Sequence, residues 1–140
     1  MKQIKILHTA DWHIGEFAGP AINGRNAREL DTIKCTDILI EQAEAEVVDL
    51  ILIAGDLFDK SKLWGDTMLR LIDVAADRLR KLAAIAPTVL LFGTANHDSM
   101  NAFKNIEAMM IPNLFIITKP EIVTVKILVD KFANEYMAVQ

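Results

Sequence analysis

The sequence predicts an α/β domain built on a mainly parallel sheet flanked by helices, and three observations lead there. Short, nearly continuous apolar runs at residues 4–7, 50–54 and 88–92 each end in a turn bearing Gly or Asp, as strands buried on both faces do. Two longer stretches between them repeat apolar residues at helical spacing. The resulting order, strand, helix, strand, helix, strand, implies parallel strands joined by right-handed crossovers.

Taken along the chain, residues 4–7 form the first strand. Residues 16–24, with Gly19, Gly24 and Pro20, interrupt regular structure and read as an active-site loop or a connector. The helical pattern over residues 27–47 places Leu30, Ile33, Ile40, Ala43 and Val47 on one face. After the strand at 50–54, residues 64–86 give a cleaner helix with Leu69, Ile72, Ala76, Leu79, Leu82 and Ala83 on its apolar face. The strand at 88–92 precedes a short helix over 101–110, a strand over 114–117 and a β-rich segment over 121–129 after Pro120.

Bulk properties bound the function. At 140 residues the chain is the size of one ordinary domain, enough to bury roughly two-thirds of its unfolded surface in a single core. The apolar share of 52% fits either a well-filled core or an apolar surface meant for a partner. No apolar run approaches the roughly eighteen residues that span a bilayer, and the N-terminus lacks a secretory stretch, so no membrane partner and a cytoplasmic location are expected. The single cysteine, Cys35, excludes an intrachain disulfide framework and reads as a core residue. A net charge of −4 argues against a broad basic surface gripping nucleic acid, although carboxylates that hold divalent cations also make a sequence look acidic.

In open parallel sheets the loops after the strands' carboxyl ends form the ligand crevice. Asp11-Trp12-His13 follows the first strand, Gly55-Asp56-Leu57-Phe58-Asp59 the second and Gly93-Thr94-Ala95-Asn96-His97-Asp98 the third, so three polar clusters fall on one edge. Asp11 and His13, two apart on a turn, suit a borderline divalent ion. Asp56 follows a glycine that permits a tight turn, and its carboxylate suits a bridge between two ions. Asn96 offers an amide oxygen to the second, with the titratable His97 beside it. Any one of these Asp residues alone reads as a helix cap or turn closure; the coincidence of three clusters, with two of the chain's three histidines, favours a metal site. His8, beside the first strand, reads as packed or as supporting a ligand. Trp12 and Trp64 read as packing residues before nucleobase platforms, and Lys60, Lys62, Arg25 and Arg28 as scattered surface charge before a means of steering phosphates to the crevice.

Residues 8–15, residues 49–59 and Asn96-His97-Asp98 together resemble the calcineurin-like metallophosphoesterases, and among them the SbcD-type DNA nuclease subunits, over about residues 4–125. The resemblance implies a four-layer αββα sandwich, of which residues 1–140 would be the N-terminal part with the C-terminal part missing. It implies two divalent ions, manganese foremost: Asp11 and His13 on the first, Asp56 bridging, Asn96 on the second. His97 would be the catalytic imidazole, acting on the leaving oxygen, with Asp98 orienting it. The implied partners are DNA, an SbcC-like ATPase subunit and a second copy in a homodimer.

Two departures from the pattern stand out. Thr94 and Ala95 intervene where the family usually reads Gly-Asn-His-Asp, and no histidine follows His97, whereas the family draws further histidine ligands from later blocks. A weak second ion is expected. Three other readings compete: a phosphoesterase for small esters, a silent partner-binding fragment, and a receiver module with Asp56 as phosphoacceptor. The last leaves His13, Asn96 and His97 without a role.

Overall fold

The computed structural model describes residues 3–62, 64–130 and 135–139. Strand β1 (Ile6–Thr9) leads into a two-residue hairpin, β2 (Ala21–Ile22) and β3 (Arg25–Asn26), and then helix α1 (Ala27–Ala45). There follow β4 (Leu50–Ile53), α2 (Gly65–Ile85), β5 (Thr88–Leu91), α3 (Met100–Ala108), β6 (Leu114–Ile117) and an antiparallel pair, β7 (Val125–Asp130) and β8 (Glu135–Val139).

The four central strands are parallel and stand in the order β1-β4-β5-β6. Each strand is thus followed by a helix and then by its own neighbour, always in the same direction across the sheet. Crossovers of constant hand that march one way must lay every helix on the same face. The packing agrees: α1, α2 and α3 share one apolar cluster with Ile51, Ile53 and Leu90 of the sheet. Alternation sends Leu50, Leu52 and Val89 to the opposite face, where Val125 and Ile127 of β7 pack against them with Phe115. The expected parallel α/β sheet is therefore present, with helices on one side and the β7–β8 pair on the other.

Individual expectations fared differently. Helix α2 buries Leu71, Ile72, Ala75, Ala76, Leu79, Leu82 and Ala83, but Leu69 is exposed. The buried stripe of α1 is Glu29, Thr36, Ile40 and Ala43, while Leu30 and Ile33 are only partly covered and Val47, past the helix end, is exposed. A buried glutamate needs a partner, and Glu29 has Arg70 of α2; Asp37 pairs likewise with Arg78. These ion pairs join α1 to α2. Cys35, expected in the core, is exposed. Residues 16–24 hold half of a small hairpin, and Asn26 at its end caps α1 by accepting from the Arg28 and Glu29 N–H groups. Residues 121–124 are irregular, so the last β-rich segment starts as a strand only at Val125. No helix among the described residues is long and apolar enough to cross a membrane.

Candidate metal centre

The parallel pairing of β1 with β4 continues past both strand ends. Asp11 N–H donates to the Gly55 carbonyl (3.1 Å), His13 N–H to Asp56 (3.1 Å) and Ile14 N–H to Leu57 (2.9 Å), and Asp59 N–H returns to Ile14 (3.1 Å). This zipped pair of loops forces unusual backbone: Asp11, His13 and Asp56 lie in the left-handed region, at φ of 55°, 48° and 51°. Non-glycine residues seldom adopt that conformation, and strain of this kind clusters at functional sites. The β5 loop closes on them at backbone contact. A methyl built on Gly55 (φ 92°) would lie 2.6 Å from the Gly93 Cα, and one on Gly93 would overlap the Asp56 nitrogen and carboxylate. Only glycines let these turns meet.

The meeting gathers oxygen and nitrogen donors. One ligand atom each from Asp11, His13 and Asp56 lies within 4.8 Å of the others, and the same holds for His13, Asp59 and His97. His13 belongs to both groups because its two nitrogens face different carboxylates: Nε2 lies 3.7 Å from Asp11 Oδ1 and Nδ1 3.9 Å from Asp59 Oδ1. The His13 and His97 rings meet edge to face, centroids 4.6 Å apart. Carboxylate and imidazole in this number and spacing fit a divalent cation such as manganese, iron or zinc.

Hydrogen bonds set the state of each group. His97 Nδ1 donates to the Asp59 carbonyl at 2.7 Å. A carbonyl only accepts, so Nδ1 carries the proton and Nε2 is the working atom. Asp56 Oδ1 accepts from Thr94 N–H (2.7 Å) and Thr94 Oγ1 (3.1 Å). The Thr94 backbone bond foremost, against some desolvation, holds the Asp56 carboxyl below the ordinary carboxylate range, so it stays an anion ready for a cation. Thr94 also closes its own turn, its carbonyl accepting from His97 N–H (3.0 Å) and Asp98 N–H (2.8 Å). Thr94, one of the two residues by which this loop exceeds the usual pattern, thus anchors the carboxylate of the β4 loop.

Asp98 is placed differently from its expected role. It is buried, and its two oxygens accept from Phe58 N–H (3.0 Å) and Gly93 N–H (2.7 Å). The group that orients His97 is the Asp59 carbonyl, and Asp98 instead ties the β5 loop to the β4 loop. Burial pushes the Asp98 carboxyl up, opposed by those two N–H groups. Asn96 is exposed, its carbonyl accepting from Ser61 N–H at 3.0 Å, and its side-chain amide makes no hydrogen bond among the described residues. His8 is exposed on the strand face opposite the helices, neither packed nor part of either donor group. Asp59 is the residue that sequence reading passed over. Its signal was the continued pairing of the two loops, which brings Phe58 opposite Ile14 and Asp59 beside His13.

A cavity of about 640 Å³ opens from the centre toward α1, between Asp11, His13 and Asp59 on one wall and Phe17, Arg28 and Cys35 on the other. The Arg28 guanidinium lies over the Phe17 ring, 5.2 Å from its centroid. Trp12 is buried and donates to Thr9 Oγ1 (3.1 Å), a packing residue as expected; Trp64 is 78% exposed, which overturns the same expectation for it.

The calcineurin-like phosphoesterase family model matches residues 4–135. That span runs from the first strand to the closing hairpin and contains every donor just described, and the chain accordingly belongs to the calcineurin-like phosphoesterases, a family of metal-dependent hydrolases.

Proposed function

We propose that the chain hydrolyses phosphodiester bonds in DNA, in the manner of an SbcD-type nuclease subunit, with manganese as its divalent ion. The observation behind this reading is the pair of donor groups sharing His13, each within 4.8 Å, at the carboxyl edge of a parallel sheet. Asp11, His13 and Asp56 would hold the first ion; Asp56 and Asn96, with Asp59 and His97 nearby, would hold the second more weakly. Bound divalent ions lower the pKa of a water and neutralise charge on the phosphoryl oxygens. The chain's own residues supply the rest. Asp56, kept ionised by Thr94, presents a fixed negative group between the loops. His97, its Nδ1 tied to the Asp59 carbonyl, keeps Nε2 to carry a proton to the leaving oxygen. An SbcC-like ATPase subunit and a second copy of the chain are the partners this reading brings with it.

The test is hydrolysis of single-stranded DNA beside bis(p-nitrophenyl) phosphate, with manganese or EDTA, in the natural chain and in Asp56→Asn. Manganese-dependent cleavage of DNA, lost in Asp56→Asn, is the expected result. Equal activity in EDTA or in the variant would sink the metal reading. The 640 Å³ cavity beside Arg28 favours a second reading, a phosphoesterase for small esters, since a pocket of that size encloses one small organic group. Cleavage of the nitrophenyl ester without cleavage of DNA would decide for it.

A further inference from the structure

On the other side of Asp59 from that cavity lies a groove of about 240 Å³, bounded by Gly15, Asp59, Lys60, Lys62, Trp64 and Leu71. It is continuous with the metal centre, because Asp59 belongs to both. Its floor is fixed to the centre by two hydrogen bonds on either side of Lys60: the Asp59 carbonyl accepts from His97 Nδ1 (2.7 Å) and Ser61 N–H donates to the Asn96 carbonyl (3.0 Å). Lys60 and Lys62 are exposed and form no ion pair among the described residues. Of the two acids in the groove, Asp59 belongs to the candidate metal centre and Glu16 accepts from the Thr67 hydroxyl at 3.4 Å.

Trp64 has no structural task that accounts for it. It stands at the N-cap of α2, where a Ser, Asp or Asn would satisfy the helix's free N–H groups, and its side chain makes no capping hydrogen bond. Nor does it pack, with 78% of the residue in solvent. A large flat ring held open at the end of two unpaired lysines is the combination that binds single-stranded nucleic acid: cations take the backbone, and the ring takes a base of any sequence.

We propose that this groove guides a single strand away from the metal centre, with Lys60 and Lys62 on successive phosphates and one base stacked on Trp64. The inference rests on the nucleic-acid reading above and sharpens it, since a small ester would have no use for the groove. A chain of net charge −4 would then hold its substrate by a local basic and aromatic track, without a broad basic face.

The test reads binding, not cleavage. The full chain is titrated with a labelled short oligo-thymidylate in EDTA and again with manganese, following strand anisotropy and tryptophan emission; Trp12 is buried, so quenching reports Trp64. Trp64→Ala is expected to weaken binding between about fivefold and about 150-fold, with Trp64→Phe intermediate. Lys60→Ala combined with Lys62→Ala is expected to flatten the dependence of log affinity on log salt by about 1.4, the value for two single-strand phosphates. An abasic strand of equal length should bind the natural chain no better than the thymidylate binds Trp64→Ala. Natural affinity in Trp64→Ala, or an unchanged salt slope in the double variant, would overturn the proposal. Absence of strand binding while bis(p-nitrophenyl) phosphate is still hydrolysed with manganese would reject this groove and leave the metal centre standing; strand binding that persists in Asp56→Asn would support the groove independently of the chemistry.

Discussion

The helix-covered face of the sheet and its carboxyl edge are built on opposite principles. On the face, α2 lays seven apolar residues onto Ile51, Ile53 and Leu90 in ordinary helical backbone, and stability comes from area removed from water. At the edge, three side chains that could hold metal sit at positive φ, glycines meet at van der Waals limits, and two carboxylates are held by backbone N–H groups. The face accepts any residue of suitable size and apolarity. The edge accepts few substitutions, and strain of its kind clusters at functional sites.

The sharpest way to break that contrast is Gly93→Ala. Its methyl would overlap backbone and carboxylate atoms of Asp56, which cannot swing aside as a flexible side-chain tip would. A loss above about 4 kcal/mol in urea unfolding is expected, exceptional for adding one carbon; a loss under 1 kcal/mol would show that the loops are not in contact. On the face, Leu79→Ala leaves a cavity at a fully buried site and should cost about 2–5 kcal/mol, with manganese binding by calorimetry unchanged.

Asp98→Asn is expected to cost less than either. The amide can replace only one of the two acceptors that serve Phe58 and Gly93, so about 1–3 kcal/mol should be lost. Because His97 is oriented by the Asp59 carbonyl, the pH profile of hydrolysis should keep its shape; a displaced profile would return to Asp98 the orienting role. The smallest effect has the opposite sign. His13→Gly relieves a left-handed residue and should raise stability by up to about 1 kcal/mol in EDTA, while abolishing the rise in Tm that manganese gives the natural chain. Destabilisation by His13→Gly would mean that the ring contact with His97 outweighs the strain.

Much of the fold was legible. The apolar runs located all four parallel strands to within two residues, and α2 announced itself by a single clean stripe. Helix α1 misled because its buried stripe includes Glu29 and Thr36, and nothing local in Glu29 or Asp37 tells that Arg70 and Arg78 will be opposite. The exposure of Cys35 and that of Trp64 were missed for a related reason: burial is a property of what other elements cover.

By itself the sequence determined where the four parallel strands and the three helices would lie, and it determined that Asp11, His13, Asp56, Asn96 and His97 would sit at strand ends on one edge of a parallel sheet, because periodicity and the hand of the crossovers are local or nearly local constraints. Only the tertiary structure decided which atoms those residues present to one another. The Asp59 carbonyl beneath His97, the Thr94 bonds on Asp56 and the Phe58 bond on Asp98 arise where loops some forty residues apart come into contact, and hydrogen bonds select partners by distance and angle, which spacing along a chain does not encode.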